Sequence, residues 1–176
     1  MRTMQKEQSA WTKADYGQLK VLVVDDNQHM RQIMKTVLKG IGIDDPREAR
    51  DGAEALSVLK NYPADMVLVD YSMAPLDGLD FTRLIRTSSD TSNPYIAVIM
   101  VTGHSERSRV TAARDAGITE FVAKPLTARS LLARMEAAVV RPRPFVRCRN
   151  YMGPDRRRRR EQAYAGPYRR DADGLI

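Results

Sequence analysis

The chain has few of the residues that build disulfide frameworks and transition-metal sites. Of its 176 residues one is cysteine, Cys148, and two are histidines, His29 and His104. A single cysteine excludes an intramolecular disulfide and a cysteine-based zinc site, and two histidines are too few for most histidine-based metal sites. Low cysteine content is typical of a reducing compartment, so we expect a cytoplasmic location.

Long hydrophobic runs are also missing from the sequence. The longest, Tyr95–Val101, has seven residues, whereas a helix that crosses a bilayer needs about 20. Residues 1–20 are polar and lack the apolar core of a secretory signal. These two features predict a protein without a transmembrane segment and agree with the expected cytoplasmic location.

Charge is divided unevenly along the chain. Residues 1–140 hold 18 basic and 18 acidic residues, whereas residues 141–176 hold 11 arginines, no lysine and 4 acids, a net charge of +7. The division predicts a neutral domain over residues 19–140, a mobile N-terminal arm over residues 1–18 and an arginine-rich C-terminal tail over residues 141–176. Mutual repulsion among the arginines argues against an independent fold for the tail.

Short apolar runs alternate with helical patterns between residues 20 and 140. The segments Val21–Val24, Met66–Val69, Ile96–Val101 and Glu120–Ala123 predict buried strands. Asp45–Arg50 is charged and contains a proline, which suits an edge strand. Continuous apolar strands that alternate with helices predict an α/β fold with a doubly wound five-stranded parallel sheet, whose ligand chemistry lies at the carboxyl ends of the strands.

Glycine and aspartate mark several predicted helix ends. Gly40 is predicted to end the first helix and Gly117 the fourth, while Asp77 is predicted to cap the third. A second helix is expected over about residues 53–59, and a fifth follows the last strand.

Reactive or polar side chains stand at the ends of four predicted strands. They are Asp25, Asp26, Asp70, Thr102 and Lys124. The carboxyl ends of parallel strands share one edge of the sheet, so we expect these side chains to lie close together. Neighbouring carboxylates raise the free-energy cost of ionising one another, and a hard cation such as Mg²⁺ relieves that cost. The lysine adds a positive charge and the threonine a hydroxyl donor. The set predicts a site for transfer of an anion, most naturally a phosphoryl group.

The order and spacing of these residues resemble the receiver domain of two-component response regulators of the chemotaxis-regulator type. The resemblance covers about residues 20–140 and implies a flavodoxin-like sheet with strand order 2-1-3-4-5. The resemblance rests on four segments together and on Gly78, which lies eight residues after Asp70. The segments are Val21–Asn27, Leu68–Met73, Ile99–Gly103 and Phe121–Pro125.

The resemblance also implies a phosphoacceptor and a metal site. Asp70 would accept a phosphoryl group from the phosphohistidine of a sensor histidine kinase or a histidine phosphotransfer protein. Asp26, Asp70 and the Ser72 carbonyl would bind Mg²⁺ directly, and Asp25 would act through water or as a further ligand.

Other positions match the catalytic and switch residues of the family. Thr102 would bond the aspartyl phosphate and Lys124 would pair with it. Phe121 stands at the aromatic switch position, where tyrosine is frequent, and would move together with Thr102. His104 lies two residues after Thr102, where family members vary phosphate lifetime, but a plain surface histidine explains it equally well.

Three functions are compatible with the sequence. The first is a phosphoacceptor response regulator that acts by phosphorylation-dependent protein interaction, with homodimer formation on phosphorylation left open, and that has no enzymatic activity beyond autocatalytic phosphotransfer and dephosphorylation. The second is a nucleic-acid-binding regulator with the tail as effector. The third, a Mg²⁺-dependent phosphatase with an aspartate nucleophile, is weak because position 72 is serine rather than a second carboxylate.

The tail combines arginines with aromatic side chains and a predicted turn at residues 153–155. Arginine binds phosphate and carboxylate groups through two donors and stacks on flat rings. Nucleic acid, anionic lipid, an acidic partner and the receiver's own acidic edge are candidate surfaces beside a solvated tail, and we favour a protein or self-docking role. The candidate contact residues are Phe145, Tyr151, Arg156, Arg157, Arg158, Arg159 and Arg160.

Overall fold

A computed structural model describes residues 13–103, 107–157 and 174–175. Its main sheet is parallel and five-stranded, in the predicted order β2-β1-β3-β4-β5. The edge position of β2 confirms the interpretation of the charged, proline-containing segment. The strands are β1 (Val21–Val24), β2 (Arg47–Ala49), β3 (Met66–Asp70), β4 (Ala97–Thr102) and β5 (Glu120–Ala123).

Helices cover both faces of this sheet. They are α1 (Gln28–Ile41), α2 (Gly52–Asn61), α3 (Gly78–Thr87), α4 (Arg107–Ala116) and α5 (Ala128–Val139). Alternate residues of β1 contribute to two separate cores. Leu22 packs in the core that includes α2, α3 and α4, while Val23 packs in the core that includes α1 and α5. Within the described residues no helix is long and apolar enough to span a bilayer.

The helix ends follow the capping residues, with one correction. Asp77 caps α3 by accepting a hydrogen bond from the Asp80 amide, and Gly117 follows α4 with a φ of +92°. The predicted end of α1 at Gly40 was wrong. The helix continues to Ile41 and ends at Gly42, whose φ of +103° is the left-handed conformation that favours glycine. Gly40 is an exposed helical residue, where the lack of a side chain costs only modest stability.

The predicted mobile arm over residues 1–18 differs from the structure in its last part. Residues Lys13–Gln18 form a 3₁₀ helix. Tyr16 is buried in the core beside α1 and α5, with 3% of its surface exposed. An aromatic ring that buries this much apolar surface anchors the segment, so the packed domain begins before residue 19.

The predicted tail also contains ordered structure. Strands β6 (Phe145–Cys148) and β7 (Tyr151–Pro154) form an antiparallel hairpin, and β8 (Gly174–Leu175) pairs with β6. The hairpin packs on α3 and α4. The charge of the tail did not indicate this hairpin. The hairpin packs on the surface of the receiver and does not need a core of its own.

Candidate functional site

Two buried carboxylates stand side by side at the carboxyl edge of the main sheet. Strands β1 and β3 are parallel neighbours, and their register pairs Val24 with Val69. Asp25 follows the first of these residues and Asp70 the second, so the register brings the two aspartates together. Asp25 is 1% exposed and Asp70 is 6% exposed. Burial at this level makes their charges costly unless a cation compensates them.

Lys124 supplies a positive charge at this position. Its Nζ atom lies 2.6 Å from Asp70 Oδ1 and 3.7 Å from Asp25 Oδ2. The backbone that carries it is fixed to the neighbouring strand, because the Lys124 amide donates to the Thr102 carbonyl over 2.8 Å. Thr102 is buried at the end of β4. The structure therefore brings residues from four strand ends to one edge, as the sequence predicted.

Backbone amides hold one oxygen of each buried carboxylate. The Asn27 amide donates to Asp25 Oδ1 and the Ser72 amide donates to Asp70 Oδ2, both over 2.8 Å. These local turns arise because an aspartate side chain readily accepts from the amide two residues on. The remaining oxygens, Asp25 Oδ2 and Asp70 Oδ1, are the ones that face Lys124. The turns thus orient the carboxylates toward the reactive edge.

Burial and crowding raise the pKa of Asp25 above its ordinary value. The largest cause is loss of hydration, and the neighbouring carboxylates of Asp70 and Asp26 add to it. The Asn27 amide and Lys124 act in the opposite direction without cancelling it. The carboxylates of the site therefore carry more negative charge than Lys124 neutralises. Such an excess is expected where a cation binds or where an anionic group is transferred.

The donors at this edge fit a hard cation. Asp25 Oδ2 is buried and has no hydrogen-bond partner, and Asp26 is exposed beside it. Carboxylate and carbonyl oxygens, including that of Ser72, are the ligands that Mg²⁺ prefers. Among the residues that the structure describes, no three acidic, imidazole or thiol side chains already form a metal-ligand cluster. The fit therefore rests on the orphaned oxygen and on the all-oxygen donor set.

Sequence reasoning missed Arg31 and the structural role of Gly78, both of which support the aspartates. Arg31 Nη1 donates to the Asp25 carbonyl over 2.8 Å, and Arg31 pairs with Glu48 at 3.5 Å. Gly78 lies so close to the Asp70 carbonyl that an added Cβ would be 2.3 Å from its oxygen. The fixed interval between Asp70 and Gly78 was a sequence signal for this contact, but its cause is visible only when the chain is folded.

The remaining predicted switch residues have different placements. Phe121 is half-buried on β5, in register with Met100, and packs against the core beside α2, α3 and α4. His104 lies outside the described residues. Near the site, the Arg109 guanidinium of α4 lies 5.1 Å from the ring centroid of Tyr71, the residue after Asp70. This contact connects α4 to the loop that follows β3.

The candidate tail residues contact the opposite edge of the sheet. Phe145 packs edge-to-face on Tyr95, with ring centroids 5.2 Å apart. Tyr151 is buried under the Arg156 guanidinium, and Arg156 pairs with Asp115 at 2.6 Å. Arg157 is exposed, and Arg158, Arg159 and Arg160 lie outside the described residues. The described tail therefore docks on its own receiver, but not on the acidic edge that was one of its candidate surfaces.

Comparison with known proteins gives a consistent result. The profile of the response regulator receiver domain matches residues 21–136. A chemotaxis protein CheY-3 of Vibrio cholerae is 34% identical over 118 residues, which cover 67% of this chain and 89% of that protein. The chemotaxis protein CheY of Pseudomonas aeruginosa is 35% identical, with coverage of 67% and 94%. The solved structure of the chemotaxis protein CheY4 of Vibrio cholerae is 26% identical and covers 67% of this chain and 96% of that one, with a TM-score of 0.60.

Proposed function

Because this chain belongs to the family of response regulator receiver domains, we propose that Asp70 is its phosphoacceptor and that phosphorylation of this residue controls binding of a partner protein. The observation that carries the proposal is the buried pair of Asp70 and Asp25 with Lys124 Nζ 2.6 Å from Asp70 Oδ1. A nucleophilic carboxylate beside a fixed cation is the arrangement that phosphoryl transfer requires.

The transfer begins with a phosphohistidine on a histidine kinase or a histidine phosphotransfer protein. An Asp70 carboxylate oxygen attacks the phosphorus, a P–O bond forms and the P–N bond of the donor breaks. The imidazole nitrogen leaves with the electron pair and takes up a proton. Lys124 binds the oxygens of the transferred group, and the Thr102 hydroxyl donates to them. Hydrolysis by water later returns the carboxylate and releases inorganic phosphate.

Asp26, Asp70 and the Ser72 carbonyl would hold Mg²⁺ at this edge, with Asp25 as an additional or water-mediated ligand. The ion would neutralise charge on the transferred phosphoryl oxygens. The chain's own residues supply the nucleophile, the lysine and the amides that orient both carboxylates. Receiver domains are phosphoacceptors, so the only catalytic steps that we propose are autocatalytic phosphotransfer and dephosphorylation.

Phosphorylation is proposed to be read on the face formed by α4, β5 and α5, through joint movement of Thr102 and Phe121. The nucleic-acid alternative is not favoured by the contacts of the tail. Arg143 donates to backbone carbonyls and Arg156 binds Asp115, so these two arginines are already engaged by the receiver. We place the protein in the cytoplasm, where its histidine phosphodonors would lie.

The proposal is tested by labelling the full chain with acetyl phosphate and Mg²⁺. We expect one phosphoryl group per chain, attached through a bond that hydroxylamine cleaves. Asp70→Asn keeps the side-chain shape but removes the nucleophile, so labelling should disappear. Asp80→Asn removes an exposed carboxylate from α3 and is the matched control, which should label normally. Persistent labelling of the Asp70→Asn variant at another residue would overturn the assignment.

A further inference from the structure

The hairpin segment, defined as residues 143–156, is built into the amino edge of the main sheet. Arg86, at the C-terminal end of α3, is 2% exposed. Its Nε donates to the Gly117 carbonyl over 3.0 Å and its Nη1 to the Pro94 carbonyl over 2.7 Å. The Phe145 ring covers this guanidinium, with its centroid 5.1 Å away. The hairpin segment thus closes over a buried cation between the ends of α3 and α4.

Close backbone contact fixes the second strand of the hairpin. A Cβ on Gly153 would lie 2.7 Å from Gly117 Cα, and one on Gly117 would lie 2.6 Å from the Met152 carbonyl oxygen. Two glycines therefore face each other where the hairpin meets the end of α4. A side-chain hydrogen bond within the same strand stabilises it further, since the Tyr151 hydroxyl donates to the Pro154 carbonyl over 2.6 Å.

The end of the hairpin segment is tied to α4 and β5 by charged groups. Arg156 Nη1 lies 2.6 Å from Asp115 Oδ1 near the end of α4. Arg143 donates to the Thr119 carbonyl just before β5 and to the Asp155 carbonyl. These contacts account for the tail sequence from Tyr151 to Arg156, because it supplies the ring, the glycine and the guanidinium that this corner of the receiver accepts. The predicted turn at residues 153–155 was wrong: Gly153 and Pro154 lie in β7, and the chain turns at residues 149–150 instead.

The same structural unit, β4–α4–β5, carries functional groups at both ends. At its carboxyl ends stand Thr102 and Lys124, and at its amino ends stand Pro94 and Thr119, which accept hydrogen bonds from Arg86 and Arg143. A phosphoryl group on Asp70 must occupy space where Lys124 Nζ now lies 2.6 Å from Asp70. Accommodating it displaces the Lys124 side chain, which follows β5. The other end of the same strand is held by the hairpin segment, because Arg143 donates to the Thr119 carbonyl.

We propose that the hairpin segment is an intramolecular clamp on the β4–α4–β5 unit and that its docking is coupled to phosphorylation of Asp70. The inference rests on the proposed function. Docking favours the conformation in which Lys124 contacts Asp70 directly. Loosening the clamp makes phosphorylation easier, and by thermodynamic reciprocity phosphorylation loosens the clamp by the same factor.

The first experiment measures the rate of labelling by acetyl phosphate and Mg²⁺ in full-length variants. Arg156→Gln and Asp115→Asn each remove one partner of the ion pair, and their double variant completes a mutant cycle. Loss of one partly exposed pair is expected to raise the labelling rate about two- to fivefold. The double variant should label no faster than Arg156→Gln, because Asp115→Asn then has no ion pair with residue 156 left to break.

Arg149→Gln is the matched control. Arg149 is exposed in the hairpin turn, so its substitution changes the net charge as Arg156→Gln does but leaves the clamp intact, and the labelling rate should stay at that of the unmodified chain. Thermal unfolding of each variant verifies that all are folded. Equal labelling rates in Arg156→Gln, Asp115→Asn and Arg149→Gln would overturn the coupling.

The second experiment measures the reverse effect by amide hydrogen exchange, with beryllofluoride and Mg²⁺ as the phosphoryl mimic. Exchange of amides in β6 and β7 should become faster when Asp70 carries the mimic. Unchanged exchange in a chain that binds beryllofluoride would overturn the coupling while leaving the phosphoacceptor assignment intact. A chain that is neither labelled nor bound by beryllofluoride would overturn the proposed function and the coupling together.

Discussion

The two edges of the main sheet both bury charge, but they compensate it in different ways. At the carboxyl edge, Asp25 and Asp70 share the positive charge of Lys124, and one carboxylate oxygen of Asp25 has no hydrogen-bond partner. At the amino edge, the guanidinium of Arg86 donates to two carbonyl oxygens and lies against an aromatic ring, while its Nη2 has no hydrogen-bond partner. One edge is thus an incompletely neutralised cluster of ions, and the other is an ion surrounded by neutral dipoles.

This difference suits the two edges to different roles, packing at the amino edge and ligand binding at the carboxyl edge. The carbonyl of Gly117 lies at the end of α4, and Arg86 stands at the end of α3, so the negative ends of two helix dipoles favour the cation. Burial lowers the pKa of Arg86 to about 10, and the side chain stays protonated at neutral pH. The amino edge therefore holds a permanent positive charge among neutral groups, whereas the carboxyl edge holds an excess of carboxylates and one carboxylate oxygen, Asp25 Oδ2, that is available to a cation.

Removal of the chain after Val140 is the strongest test of the comparison. It deletes Phe145 and the buried Tyr151 and exposes Arg86, so the free energy of unfolding should fall by about 2–4 kcal/mol. Labelling by acetyl phosphate should persist at a rate no lower than that of the full chain. Urea unfolding and labelling measured on the same sample check both statements, and loss of labelling would show that the chemistry of the carboxyl edge needs the hairpin segment.

Gly78→Ala probes the carboxyl edge by forcing a side chain against the Asp70 carbonyl. Because the added Cβ would be 2.3 Å from that oxygen, we expect a loss of about 1–3 kcal/mol in the free energy of unfolding and slower labelling. Gly103→Ala is the control, since nothing lies within 4 Å of its added Cβ. Equal stability of the two variants would contradict a strained contact at Gly78.

Arg86→Lys probes the amino edge without removing its charge. Lysine lacks the planar fork that donates to two carbonyls and stacks on Phe145, so stability should fall by about 1–2 kcal/mol. Labelling should persist and become modestly faster, because the contact between Phe145 and residue 86 that helps to dock the hairpin segment is lost. Arg83→Lys, on the exposed face of the same helix, should change stability little. A loss of labelling in Arg86→Lys alone would show that this cation contributes to the chemistry.

Asp25→Asn should give the smallest effect, and one of opposite sign. A carboxyl group whose pKa is higher in the folded chain than in the unfolded chain binds protons more readily when folded, so its ionisation costs stability as pH rises through the folded pKa. At pH 7 the substitution should therefore raise the free energy of unfolding, by less than the changes expected at Gly78 and Arg86. The gain should shrink below the ordinary pKa of aspartate, which urea unfolding at acidic and neutral pH can measure.

The fold and the carboxyl edge were largely predictable because their signals are local. Buried strands such as Val21–Val24 and Met66–Asp70 are continuous apolar runs that end in aspartate, and parallel pairing then places those aspartates together. The exact helix end at Gly42 was missed because two glycines, Gly40 and Gly42, stand near it, and only the backbone conformation distinguishes them.

The amino edge was not predictable because its contacts join distant parts of the chain. Arg86 looks like one more polar residue on an amphipathic helix until Gly117 and Phe145 are folded around it. The hairpin was missed because the many arginines of the tail indicate mutual repulsion, which argues against ordered structure. The burial of Tyr16 was missed for a related reason. A lone aromatic residue in a polar segment gives no sign of burial in the sequence, and the residues that cover it come from other parts of the chain.

The position of the docked hairpin also determines how the protein can be approached by two partners at once. The chain leaves the hairpin near Arg157, at the amino edge, while a phosphodonor must reach Asp70 at the carboxyl edge. Strand β4, with six residues, separates these edges by roughly 20 Å. A molecule bound to the docked hairpin segment would therefore occupy a different side of the domain from the kinase, and loading of phosphate and recruitment of that molecule need not compete for space.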